Sequence, residues 1–160
     1  MEKTGIPAAW TILGLSALPT AHPLNVGMVG MHGNYGPNVL TNECDLLIAM
    51  GMRFDDRVTG DLNRYTKQAK IIHFEIDPAE VNKNVYADVA VMGNIKSTLP
   101  LVIEKVKNNH HEDWLKIFKE HDEIEYQKAI QKEIYPTKEQ LTMGEVCLLY
   151  TSDAADEDLR

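Results

Sequence analysis

Three short blocks of the sequence carry residue types suited to holding a nucleotide or an anion. The first is Gly27-Met28-Val29-Gly30-Met31-His32-Gly33. Glycines packed this densely let a backbone approach a flat or anionic ligand closely, because no Cβ stands in the way. The spacing is not that of a GxGxxG fingerprint, so a flexible loop is the bland alternative, with His32 as a hydrogen-bonding loop residue. The second block is Gly51-Met52-Arg53-Phe54-Asp55-Asp56-Arg57-Val58. It directly follows an apolar run, and ligands of open α/β sheets bind beyond the carboxyl ends of strands. Its arginines and aspartates can pair a phosphate, a carboxylate or each other. The third is His73-Phe74-Glu75-Ile76-Asp77-Pro78. A carboxylate inside an apolar strand needs a partner, which makes Glu75 a candidate for the ribose hydroxyls of a dinucleotide. Asp77 reads more simply as a cap before Pro78.

Other chemistries lack their residues. No Ser/His/Asp order has supporting context, and there is no P-loop. His110-His111-Glu112-Asp113 is the densest group of metal-ligand types, but it reads as a solvated helix start with Asp113 as N-cap. Cys44 and Cys147 form no CxxC pair and suggest neither a zinc site nor a disulfide framework.

The elements that must position these blocks alternate. Ile6–Trp10 reads as a short buried strand, followed by a Gly-, Pro- and Asn-rich irregular loop from Gly14 to Gly36. Tyr35–Glu43 suits a helix with Asn34 as N-cap and Pro37 in its first turn. Asp45–Met50 is a continuous apolar run, as in a strand buried on both faces of a parallel sheet. Lys70–Asp77 and Val89–Met92 are two more strands. Asn94 or Ser97 caps the next helix, whose apolar face is Ile95, Leu99, Val102, Ile103 and Val106. Trp114, Ile117, Phe118, His121 and Ile124 mark a further amphipathic helix. Strands alternating with helices imply an α/β fold with a Rossmann-like parallel sheet flanked by helices.

The chain has 160 residues, 44% of them hydrophobic and 25% charged, enough for one core. Its formal charge of −8 argues against nucleic acid or an anionic membrane surface as a partner. No run approaches the roughly 18 apolar residues of a membrane span, and the first residues lack the apolar core of a signal peptide. The composition reads as cytoplasmic.

Taken in order and spacing, the blocks resemble the acetolactate synthase (acetohydroxyacid synthase) large-subunit family. The resemblance runs through Glu2-Lys3-Thr4-Gly5-Ile6-Pro7, Gly14-Leu15, the Gly27–Gly33 block, Asp45–Ala49, Gly51–Gly60 and His73–Glu80, and it extends to about Val146. It implies the central, FAD-binding domain of a thiamine-diphosphate enzyme with three α/β domains. The outer two would carry thiamine diphosphate, Mg2+ and the activating glutamate. The activity implied is the decarboxylating condensation of two 2-ketoacids, pyruvate with pyruvate or with 2-ketobutyrate, in branched-chain amino-acid biosynthesis. The implied assembly is a homo-oligomer with a regulatory small subunit.

Carried over residue by residue, the resemblance places flavin contacts on Thr11, Ile12, Leu13, Val29, Gly30, Met31, His32, Gly51, Met52, Arg53, Asp55, Arg57, Val58, Glu75 and Ile76. It places a substrate channel at Met31, Asp56 and Arg57, and neither a catalytic residue nor a metal ligand in this chain. Three features depart from the family pattern. Trp10 stands where a small residue is usual, Asn94 replaces a frequent aspartate, and the match ends after Val146. The resemblance therefore divides the chain into an incomplete central domain over 1–106, lacking its N-terminal edge, a helical linker over 107–146, and a tail over 147–160 that resembles translated adapter sequence. Two alternatives stand beside this reading: the central domain of another thiamine-dependent carboligase or decarboxylase, and a non-catalytic nucleotide-binding module.

Overall fold

Apolar runs bounded by glycine become parallel strands. The computed structural model describes residues 1–135 and 141–157, and the chain divides into two units, Met1–Phe118 and Lys119–Arg160. In the first unit, β1 (Ala8–Trp10) pairs in parallel with β2 (Asn25–Met28). A second parallel sheet has the order β3 (Leu46–Met50), β4 (Lys70–Glu75), β5 (Val89–Met92). Three helices punctuate these strands: α1 (Tyr35–Leu40), the single turn α2 (Asp56–Thr59), and α3 (Ile95–Lys105). The expected α/β class with parallel strands and flanking helices is what forms, with the described strands shared between two sheets.

The sequence reading erred where context overrode pattern. β2 lies inside the stretch read as irregular loop. Its four residues contain a glycine of positive φ, Gly27, and register with β1 recruits them into a sheet. β1 is shorter than expected and only partly buried. β3 was expected to be buried on both faces, but Ala49 alone is buried. Among the described residues it is an edge strand, with one neighbour, β4. The central strand behaves as the pattern requires: Ile71, His73, Phe74 and Glu75 are all buried. β4 stops two residues early because the Glu75 carboxylate takes the next two backbone N–H groups, Ile76 at 2.8 Å and Asp77 at 3.2 Å. Asp77 then caps its turn by accepting from Ala79 N.

Ala49, Phe54, Tyr65, Ile71 and Ala87 form the buried cluster, with Leu47, Met52 and Val85 packed against it. Phe54 is its pin. The ring is buried, and the backbone adopts φ 53, a left-handed conformation that non-glycine residues adopt rarely and at a cost. Asn84 Nδ2 donates to the Phe54 carbonyl at 2.9 Å and fixes that bend. Helix capping follows the sequence in part. Asn94 caps α3, its Oδ1 accepting from Lys96 N. Asn34 occupies the N-cap position of α1, but its Oδ1 accepts from Met28 N instead. Helix α4 (Glu112–Glu125) starts one residue before the expected cap, so Asp113 sits in its first turn.

The second unit holds the end of α4, a π-helical turn (Tyr126–Ile130), α5 (Gln131–Ile134) and α6 (Met143–Glu157). A capping box opens α6: Thr142 N donates to Glu145 Oε2, and Glu145 N donates to Thr142 Oγ1. Helix α6 runs across the expected junction after Val146.

Candidate functional site at the carboxyl ends of the strands

All four groups of candidate residues follow strands at their carboxyl ends. Thr11, Ile12 and Leu13 follow β1, with Ile12 and Leu13 in a short 3-10 turn. Val29 to His32 follow β2, and Val29 N donates to Trp10 O at 2.8 Å, extending the β1–β2 pairing. Gly51 to Val58 follow β3 and run into α2, while Glu75 ends β4 and Ile76 follows it. Parallel strands put these ends on one edge of each sheet, which is where open α/β sheets bind ligands.

The structure joins the first two blocks directly. Met31 N donates to Arg57 O at 2.7 Å, tying the glycine loop to α2. Gly30, at φ 113, packs so closely that an added Cβ would stand 3.0 Å from Arg57 O. Asn38 of α1 braces the same glycine twice: its Oδ1 accepts from Gly30 N at 2.8 Å, and its Nδ2 donates to Gly30 O at 2.9 Å. Between loop and helix lies a cavity of about 350 Å³, lined by Val29, Gly30 and Met31 on the loop and by Asp56, Arg57 and Val58 on the helix side, with Asn38, Thr41, Asn42 and Tyr65 among the rest. Thr11, Ile12, Leu13, His32, Gly51, Met52, Arg53, Asp55, Glu75 and Ile76 do not line it.

Within the second block the charges divide into structural and free. Asp55 is the N-cap of α2, its Oδ1 accepting from Arg57 N at 3.0 Å. Its Oδ2 lies 3.5 Å from Arg53 Nη2, a weak contact between partly solvated groups. Arg57 and Asp56 are exposed and form no ion pair among the described residues. The block is thus not a closed set of mutual ion pairs. Gly51 has φ 63 and nothing within 4 Å of an added Cβ, which leaves open space at the end of β3. Gly93, at φ 131 beyond β5, donates its N–H to Glu75 O at 2.9 Å.

Several side chains here are apolar and exposed: Ile12 is 65% exposed, Leu13 88%, Met31 63% and Ile76 65%. Arg53 and Arg57, which follow β3, are exposed as well. Exposed apolar side chains and exposed cations at strand ends are residue types suited to a ligand with a flat apolar part and an anionic part. Elsewhere, burial and the neighbouring Asp45 charge push the Cys44 thiol up, and burial pushes the Tyr65 hydroxyl up strongly. Neither group is primed as a nucleophile. Among the described residues no cluster of three or more His, Cys, Asp and Glu can hold a metal ion, and no helix is long and apolar enough to cross a membrane.

Residues 1–102 match the family described as thiamine pyrophosphate enzyme, central domain. The chain belongs to this family. Among relatives, the probable acetolactate synthase large subunit of Methanocaldococcus jannaschii is 47% identical over 119 residues, 71% of this chain and 20% of that protein. The acetolactate synthase isozyme 2 large subunit of Escherichia coli is 47% identical over 114 residues, again 71% and 20%. An acetolactate synthase of Mycobacterium bovis is 45% identical over 109 residues, 68% and 18%. This central domain therefore spans about a fifth of the length of these relatives.

Asn38 and Asn84 hold the site without belonging to its motifs, and His73 belongs to the third block but carried no assigned role. Asn38 left one signal, a polar residue inside a short helix beside the glycine loop. His73 left another, an imidazole in an apolar strand on the face that also carries Glu75.

Proposed function

We propose that this chain is a segment of an acetolactate synthase large subunit and that its carboxyl-edge site binds FAD. The single observation that carries the flavin reading is that Ile12, Leu13, Met31 and Ile76 are all exposed at the carboxyl ends of strands, as are Arg53 and Arg57 after β3. An isoalloxazine would cover apolar side chains, and a pyrophosphate would take an arginine. The open space beside Gly51 permits the close backbone approach that such a ligand needs. Glu75 offers Oε2 to the ribose or adenine, since Oε1 is already held by backbone N–H groups.

On this reading FAD supplies a rigid planar surface and no net redox chemistry. The carbon–carbon chemistry belongs to the whole enzyme, on thiamine diphosphate held with Mg2+ outside this segment. That enzyme decarboxylates pyruvate and joins the two-carbon unit to a second 2-ketoacid in branched-chain amino-acid biosynthesis, and it assembles as a homo-oligomer with a regulatory small subunit. Met31, Asp56 and Arg57 border the substrate channel, where Arg57, free of an ion pair among the described residues, is suited to a carboxylate.

Titration of flavin fluorescence with the chain tests the proposal. We expect saturable binding of one FAD per chain, weakened on the order of tenfold or more by Arg53→Ala and by Glu75→Gln, each of which removes a charge-assisted contact. Binding of other adenine nucleotides with FAD excluded would favour a different carboligase or decarboxylase, and binding of no nucleotide would sink the flavin reading.

A further inference from the structure

Two ionisable side chains on one face of β4 are buried without a full set of partners. His73 has no exposed surface, and neither ring nitrogen has a hydrogen-bond partner among the described residues. Its register neighbours are alanines on both sides, Ala49 on β3 and Ala90 on β5. The Phe54 ring meets it edge-on, with centroids 5.0 Å apart and planes at 71°. Two residues along, on the same face, Glu75 is 8% exposed. Its Oε1 accepts from Ile76 N and Asp77 N. Its Oε2 has no hydrogen bond among the described residues and lies 3.6 Å from His73 Nε2.

Packing does not account for a histidine in this slot. A phenylalanine ring would fill nearly the same space against Phe54 and would bury no unsatisfied nitrogen. Buried polar atoms without partners are costly and uncommon, so they call for a specific reason. The Glu75 oxygen that the backbone leaves free supplies one.

We infer that His73 is a positioning residue for Glu75: its Nε2 donates to Oε2 after a small closure of the 3.6 Å gap and so orients the carboxylate toward the hydroxyls of a bound nucleotide. Oε1 is taken by two backbone donors and one lone pair of Oε2 by the ring, which leaves the second lone pair of Oε2 to the ligand. This inference rests on the FAD reading above.

The test uses the whole 160-residue chain and two readouts. In the ligand-free chain, nitrogen NMR of the His73 ring should place a hydrogen-bonded proton on Nε2, and Glu75→Gln should shift that resonance. An unmoved resonance overturns the inference. With FAD as the probe, His73→Phe should weaken binding on the order of tenfold, as for loss of one hydrogen bond to a charged group. Its melting temperature should stay close to the parent's, because loss of the Nε2 hydrogen bond is offset by removal of the unpartnered Nδ1. His73→Gln, which keeps an N–H donor, should recover most of the affinity. In the double variant, His73→Phe should add no further loss to Glu75→Gln. A merely structural histidine gives another pattern: His73→Phe loses binding and melting temperature together, with no rescue by His73→Gln, and that pattern overturns the assignment. Normal FAD binding by His73→Phe overturns the inference alone. Absence of FAD binding by the parent chain overturns both the inference and the reading beneath it.

Discussion

Gly30→Ala is the sharpest perturbation of the scaffold that holds the two ligand-type blocks together. Gly30 has φ 113, and an added Cβ would lie 3.0 Å from Arg57 O and 3.5 Å from Val58 Cα. Holding a non-glycine residue in such a conformation costs on the order of 1–3 kcal/mol. The crowded Arg57 oxygen is also the acceptor for Met31 N at 2.7 Å, so pushing it away weakens a hydrogen bond worth about 1 kcal/mol net. The two effects are separate in origin and total about 2–4 kcal/mol. With a urea slope of about 2 kcal/mol/M, in the middle of the range for a small domain, the midpoint should fall by roughly 1–2 M. Gly51→Ala is the control, because it shares a positive φ of 63 but meets nothing within 4 Å. It should cost only the backbone term, about 1–2 kcal/mol. The assay is urea unfolding followed by circular dichroism. If Gly30→Ala unfolds at the same urea concentration as Gly51→Ala, the close approach of loop and α2 does not govern stability.

Three further outcomes follow from individual contacts. Asn38→Ala leaves both Gly30 N and Gly30 O without their partner and should cost about 2–3 kcal/mol in the same assay, with no change expected if the brace is incidental. Phe54→Ala empties the centre of the buried cluster and should cost about 3–5 kcal/mol, readable as loss of a cooperative melt. Asp88 is held below the usual carboxylate range, first by the hydrogen bond from Lys70 and then by that from Ile71 N. Its contribution is present above the ordinary carboxylate pKa and is lost as pH falls through the depressed folded value. Asp88→Asn should therefore be less stable than the parent at neutral pH, and the gap should close below about pH 4; a gap that persists in acid contradicts the assignment.

The fold was legible where one local signal dominated. Lys70–Asp77, with Ile71, Ile72, Phe74 and Ile76, reads as a buried strand, and a strand forms over Lys70–Glu75. Edge position was not legible, because the apolar run of β3 resembles that of a central strand and nothing local says how many neighbours it has. β2 was hidden by glycine and asparagine, whose low strand propensity yields to pairing with β1. The candidate blocks were visible as residue types next to strand ends. Their joining through Met31 N and Arg57 O was not, since backbone hydrogen bonds between distant segments leave no mark on side-chain identity. Asn38, and a role for His73 within its block, escaped for a related reason: each faces a particular neighbour, and only coordinates show which neighbour that is.

Amide hydrogen exchange on the chain with and without FAD tests the central claim most directly, because it reports where a ligand sits as well as whether it binds. Added protection should be confined to the carboxyl ends of the strands, at residues 11–13, 29–33, 51–58 and 75–77, with β-strand interiors unchanged. Protection centred on any other surface, or exchange unaltered by saturating FAD, would contradict a flavin site at the strand ends.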